Sequence, residues 1–164
     1  MKNIETVGII GLGALGTLYA HLFTEALGPQ RVSVLADRAR TERYRSQDLR
    51  YNGEPCAFRY VDAAEWREPV DLLLFAVKFG GLPAAIETCR HLVGPETTLV
   101  SVLNGIASEP MLGDAFGAEK VVWCVAQKMS ARKEGNAVTV DPVGELALGV
   151  PAGRDDTHLR RLGA

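Results

Sequence analysis

Cysteine and histidine are both scarce in this 164-residue chain, three of each, and where they stand excludes more than their number does. Cys56, Cys89 and Cys124 are scattered, odd in count and set among apolar neighbours. No disulfide framework is expected, and reduced core thiols in a cytoplasmic setting are. His21, His91 and His158 share no ligand-like spacing with a cysteine or an acid, so no metal site is predicted. Net charge is small as well, −2, which argues against a nucleic-acid polyanion as the principal partner. No apolar run approaches membrane-spanning length, so no membrane partner is expected. The stretch after Lys2 is broken by Glu5 and then by Gly8, Gly11, Gly13 and Gly16, which does not suit a signal peptide. Internal repeats and low-complexity linkers are missing too. What remains is an ordinary globule, 47% apolar and 23% charged. A chain of this length buries roughly 70% of its unfolded surface in one domain.

Glycine is plentiful, 17 in all, and its first cluster carries the chemistry. Val7-Gly8-Ile9-Ile10-Gly11-Leu12-Gly13-Ala14-Leu15-Gly16 is an apolar run that breaks into the G-x-G-x-x-G spacing. Gly11 permits a tight turn, Gly13 lets a diphosphate approach the backbone, and Gly16 lets the following helix pack closely. Ile4 to Ile10 reads as a buried parallel strand, and residues 14–26 carry Leu15, Leu18, Tyr19 and Leu22 at helical spacing. Arg31 to Ala36 reads as a second strand, and Asp37 lies about 20 residues beyond the last glycine, where a ribose-binding acid belongs. Free N–H groups at the helix start would face the phosphates of a dinucleotide.

Further on, residues 38–47 form a basic, helix-prone stretch, and residues 49–61 read as a hairpin turning at Asn52-Gly53. Residues 70–77 and 97–103 are buried strands, separated by a helix over 83–92. A helix over 108–116 has Ser108 as its expected N-cap. Residues 121–126 are another strand. Residues 138–140 and 145–148 read as an antiparallel pair around Pro142-Val143-Gly144, and Leu159 to Leu162 as the first turns of a helix without a partner. This succession predicts an α/β, Rossmann-like, doubly wound and mostly parallel sheet with helices on both faces. Residues 1–164 then form one dinucleotide-binding domain. Three strand ends converge on its crevice: the glycine loop, Lys78 and Asn104-Gly105. An ammonium there can hold a phosphate, a ribose hydroxyl or a substrate carbonyl, and an amide can orient nicotinamide and substrate.

Gly11 to Gly16, Phe75-Ala76-Val77-Lys78, Leu103-Asn104-Gly105 and Ser130-Ala131-Arg132-Lys133-Glu134-Gly135-Asn136 resemble, in order and spacing, the ketopantoate reductases (2-dehydropantoate 2-reductases). The resemblance implies NADPH-dependent reduction of 2-dehydropantoate, a 2-oxo acid, to pantoate on the way to pantothenate and coenzyme A. It implies cofactor contacts from Gly11, Leu12, Gly13, Ala14, Leu15, Gly16, Lys78, Asn104 and Ala131, with Asn104 also near substrate. Members of that family run to about twice this length. Their helical second domain, absent here, supplies the catalytic lysine. None of Lys78, Lys120, Lys128 or Lys133 inherits that part, so no catalytic residue is assigned in this chain. The chain is therefore expected to be the front of a longer two-domain enzyme, inactive alone, whose uncovered apolar surface favours a homodimer.

Cofactor choice stays open. Asp37 stands where the family often has an arginine for the 2′-phosphate, and a carboxylate there favours NAD. Arg38, Arg40 and Arg43 follow at once and are able to clamp a phosphate or simply to form a solvated helix face. NADP is kept ahead by the resemblance, with NAD as the alternative. Two other readings remain: a dehydrogenase of another 2-oxo or 3-hydroxy acid, and a nucleotide-sensing domain without catalysis. Trp66 and Trp123 read as core or interface aromatics, His21 as packed or at the surface, and His91 and His158 as solvated. Ser130 has no histidine–acid pair to make it a nucleophile.

Overall fold

Runs of apolar residues on both faces of a strand demand cover on both sides, and four such runs lie side by side at the centre of this molecule. The computed structural model describes residues 3–163, so Lys2 lies outside the described residues. Strand β1 (Val7–Ile10) leads into helix α1 (Ala14–Leu27), β2 (Val32–Ala36) and α2 (Arg38–Ser46). Short strands β3 (Arg50–Tyr51), β4 (Glu54–Pro55) and β5 (Tyr60–Asp62) follow. Then come β6 (Leu72–Phe75), α3 (Leu82–Cys89), β7 (Thr98–Ser101), α4 (Ser108–Phe116) and β8 (Val121–Gln127). The chain closes with β9 (Ala131–Glu134), β10 (Ala137–Val140), β11 (Glu145–Gly149) and α5 (Thr157–Leu162).

The main sheet has seven strands in the order β11-β8-β7-β6-β1-β2-β5. All pairs are parallel except β11 with β8. The chain winds outward from β1 in one direction through β2 and in the other through β6, so strand order reverses there. In such sheets the crevice for a ligand opens beyond the carboxyl ends of the strands at that point. Alternate residues feed opposite faces. Leu72 and Leu74 join a layer with Leu18, Tyr19 and Val34 beneath α1, and Leu73 and Phe75 join Leu82, Ile86 and Leu112 beneath α3 and α4. Truncating a fully buried leucine such as Leu73, at 0% exposure, to alanine costs about 2–5 kcal/mol.

A second sheet of four strands, β4-β3-β10-β9, packs beside α1. Here the structure corrects two expected pairings. Residues 138–140 and 145–148 do not pair with each other. Residues Ala137–Val140 lie between β9 and β3 in the small sheet, whereas Glu145–Gly149 run antiparallel to β8 at the edge of the main one. The hairpin at Asn52-Gly53 is real but ends at Pro55, and Tyr60–Asp62 cross over to extend the main sheet beside β2. Asn52 and Gly53 both have positive φ, 48° and 89°, as the tight two-residue turn requires. The Asn52 side chain then donates to Val140 O at 3.1 Å and accepts from Val140 N at 2.8 Å, tying the turn to β10.

Three smaller expectations also change. Ser108 is not the N-cap of α4: Ala107 takes that place without a side-chain bond, and Ser108, inside the helix, is buried. Its hydroxyl accepts from Ser101 Oγ at 2.8 Å and donates to the buried Glu109 carboxylate at 3.0 Å. His158 is buried, not solvated, and pairs with Thr98 Oγ1 at 2.8 Å. Helix α5 does have a partner, because Leu159 and Leu162 pack on the layer beneath α1. His91 is exposed with Nε2 at 2.8 Å from Ala63 O, and His21 stacks on Tyr51.

Candidate functional site

The turn between β1 and α1 is built from contacts that only glycine allows. At Gly11, with φ +99°, an added Cβ would stand 2.8 Å from the Ala76 backbone, and at Gly16 one would stand 1.9 Å from Gly11 O. Both are held tight by protein. Gly13 differs: an added Cβ would meet nothing nearer than Ala76 O at 3.9 Å, so that position faces open space. Helix α1 starts on Gly13 with no side-chain cap. Its first N–H groups lack intrahelical partners by geometry, and the positive end of the helix dipole lies with them. Gly13 O takes the Thr17 N–H at 3.0 Å and the Thr17 hydroxyl at 2.8 Å, which secures the turn from behind.

Gly11, Leu12 and Gly13 border a cleft of about 680 Å³ that also meets the ends of β2 and β6. Ala36 and Asp37 form one side, and Ala76, Val77 and Lys78 another. Arg40, Arg43 and Tyr44 come from α2 and Gln47 from its C-cap, Thr88 from α3, and Lys133, Gly135 and Asn136 from the hairpin of β9 and β10. Four cationic side chains therefore line the cleft against the single carboxylate of Asp37, in a chain whose net charge is −2. Such a concentration of positive charge in a concave site draws an anionic ligand.

Asp37 caps α2, accepting the Arg40 N–H at 2.8 Å, and its other oxygen takes Arg40 Nη1 at 2.5 Å. That backbone bond, with the guanidinium beside it, holds the carboxyl below the usual aspartate range. Arg38 turns away from the cleft, with 79% of its side chain exposed, and pairs with Glu42 at 3.2 Å. Arg40 and Arg43 are the arginines of this helix that line the cleft, the latter lying 5.6 Å over the Tyr44 ring.

Of the glycine-loop residues, Gly11, Leu12 and Gly13 reach the cleft, while Ala14 and Leu15 pack on the core and Gly16 is buried. Lys78 lies in the lining and Asn104 outside it, exposed at the end of the neighbouring strand. Phe75 pairs with Ser101, and Lys78 and Asn104 each stand three residues beyond those partners. Both lie past the paired strand ends, in the loops that follow β6 and β7. The loop after Asn104 borders a second hollow of about 410 Å³, whose walls include Ile106, Glu109, Trp123, Val125 and Leu148. Ala131 is half-buried against the core, outside the cleft.

Lys133, quoted within the family-like segment but given no binding role there, lines the cleft. Strand alternation puts it on the same face as Ala131, and that spacing is the signal that could have found it. Burial first, and then the Arg43 charge, push its ammonium below the ordinary lysine range, with the Cys56 thiol opposing. Among the described residues no cluster of His, Cys, Asp and Glu is arranged to hold a metal ion, and no helix is long and apolar enough to cross a membrane.

The family model described as "Ketopantoate reductase PanE/ApbA" matches residues 7–153. Among solved structures, 2-dehydropantoate 2-reductase from Geobacter metallireducens GS-15 superposes with a TM-score of 0.73 at 25% identity, over 97% of this chain and 56% of that one. The 2-dehydropantoate 2-reductase from Methylococcus capsulatus gives 0.68 at 25% identity, over 90% and 50%. A D-mandelate dehydrogenase, solved with NADH and anilino(oxo)acetate, gives 0.73 at 19% identity over 90% and 49%, a likeness of fold alone. The chain spans about half the length of the proteins it resembles.

Proposed function

The chain belongs to the ketopantoate reductase PanE/ApbA family, and from that membership we propose that it is the cofactor-binding part of an NADP-dependent oxidoreductase that reduces 2-dehydropantoate to pantoate, a step of pantothenate synthesis. The observation that carries this reading is the open backbone at Gly13, at the uncapped start of α1, facing a cleft lined by four cations. A diphosphate bridge matches that surface in charge and in its need for backbone donors. Gly11, Leu12 and Gly13 hold the bridge, with Ala14, Leu15 and Gly16 setting the helix behind it. Asp37 and Arg40 meet the adenine ribose, and Arg43 supplies the positive charge for a 2′-phosphate. Arg38, paired with Glu42 outside the cleft, takes no part.

The bound nicotinamide would supply hydride to the substrate ketone. Lys78, in the cleft lining, and Asn104, in the loop after the neighbouring strand, orient the nicotinamide end and the 2-oxo acid, with the backbone near Ala131 beside them. No group in the chain is assigned as proton donor to the developing alkoxide, so the 164 residues alone bind dinucleotide without appreciable turnover.

A second reading has one observation in its favour. Asp37, held ionised by Arg40, accepts a hydrogen bond from a free ribose 2′-hydroxyl and repels a phosphate there, which suits NAD and a dehydrogenase acting on another 2-oxo acid. Fluorescence titration with NADPH and NADH separates the two. Tighter binding of NADPH supports the first reading, and a marked preference for NADH supports the second. Binding of neither overturns both.

A further inference from the structure

Strand β9 sends its side chains alternately outward and inward. Arg132 and Glu134 are exposed and pair with each other at 3.1 Å, whereas Lys133 is half-buried and lines the cleft. Its Nζ donates to Leu12 O at 2.7 Å, across 121 positions of sequence. Leu12 stands between Gly11 and Gly13, so this bond brings an ammonium from the small sheet to the backbone that borders the cleft. An ammonium carries three donors, and the carbonyl takes one.

The surroundings of this cation are unusual in sign. The charged neighbour that acts on it is Arg43, another cation, and among the described residues no carboxylate forms an ion pair with it. A partly buried cation with no carboxylate partner is unfavourable until an anion joins it. The bond to Leu12 O sets the ammonium against the glycine loop. The Asp37–Arg40 pair belongs to the first turn of α2, on the wall of the same cleft.

We propose that Lys133 is a direct ligand of the dinucleotide's diphosphate bridge, closing over it from the small sheet while the glycine loop holds it from the main one. This rests on the reading of the cleft as a dinucleotide site and adds to it a specific cation and a specific group of the ligand. Lys133 then contributes equally to NADH and NADPH, because the bridge is common to both. Arg43 contributes to their difference.

The test is a fluorescence titration of the 164-residue chain and its Lys133→Met, Lys133→Gln, Lys133→Arg and Arg43→Met variants, with NADH and NADPH at several salt concentrations. Thermal melting checks that each variant is folded. Lys133→Met is expected to weaken both dinucleotides about tenfold, the scale of one charge-assisted hydrogen bond. The NADPH-to-NADH ratio should stay within about twofold, and the salt dependence of Kd should flatten. Lys133→Arg should recover most of the affinity, and Lys133→Gln, which also removes the charge, carries the test if the methionine variant fails to fold. Arg43→Met should change the ratio. Unchanged affinity in Lys133→Met, a loss confined to NADPH, or a loss with unaltered salt dependence overturns the assignment; the last outcome makes Lys133 only a strap on the loop. If the unsubstituted chain binds neither dinucleotide, the cleft reading itself fails, a result distinct from all of these.

Discussion

The two ends of the parallel strands treat their polar groups in opposite ways. At the amino end of β6 and β7, Asp71 is buried and its Oδ2 accepts from Glu5 N, Thr6 N and Thr6 Oγ1, each at 3.0 Å. Arg161, 2% exposed, reaches in from α5 to donate to Glu96 O and to Thr98 Oγ1, with Asp71 Oδ1 at 3.8 Å. Thr98 Oγ1, accepting from Arg161, has its own hydrogen left for His158 Nδ1, which matches a neutral imidazole. The protein meets these polar demands itself. At the carboxyl end, the glycine loop exposes backbone, and Lys78, Arg43 and Lys133 face a cleft that offers them one acid. One end is closed by structure; the other presents exposed backbone and cations to a cleft.

Breaking the closed end should therefore cost stability and leave binding alone. Asp71→Ala strips three donors and the Arg161 guanidinium of their acceptor, and breaking a buried pair of this kind is expected to cost about 3–5 kcal/mol. Chemical denaturation measures it, and the fraction still folded should bind nucleotide with unchanged affinity. A cost under about 1 kcal/mol would put that pair on a par with exposed ones and remove the contrast.

Breaking the open end should do the reverse. Gly13→Val places methyl groups in the cleft, at a backbone with φ −78° and ψ −163° that valine tolerates. Dinucleotide affinity is expected to fall by more than about tenfold, while the melting curve moves little. A variant that binds as tightly as the parent would mean the ligand sits elsewhere.

The smallest effect comes from pH, and at the closed end it is carried by His158. Burial, and then the Arg161 and Lys120 charges, depress the His158 pKa, with Glu96 and Asp155 opposing. The folded chain thus prefers neutral imidazole. That stability is fully present above the unfolded histidine value, about 6.5, and is lost as pH falls through the window below it. One proton limits the slope to about 1.4 kcal/mol per pH unit. His158→Gln should flatten the dependence, read from denaturation midpoints across pH; equal slopes in the two proteins would discount His158.

Much of the open end could be read from sequence because its signals are local. The glycines of 11–16, the apolar runs of 72–75 and 98–101, and the punctuation at Lys78 and Asn104 all sit within a few residues of the elements they serve. Little of the closed end could. His158 reads as solvated and Leu159 to Leu162 as a helix without a partner, since nothing within α5 reports that Thr98 and Asp71 lie near it. Pairing was just as hidden for β5, β10 and β11. Alternation marks a strand but does not name its neighbour. Lys133 escaped for the same reason, 121 positions from the carbonyl it binds.

Sequence by itself determined the βαβ opening, the parallel central strands and the glycine turn, because each follows from backbone sterics and hydrophobic period over a short span. Tertiary structure alone decided which cations share the cleft, which carboxylates are neutralised and which strands meet. Charge pairing and strand pairing depend on distance in space, and chain separation does not specify that distance.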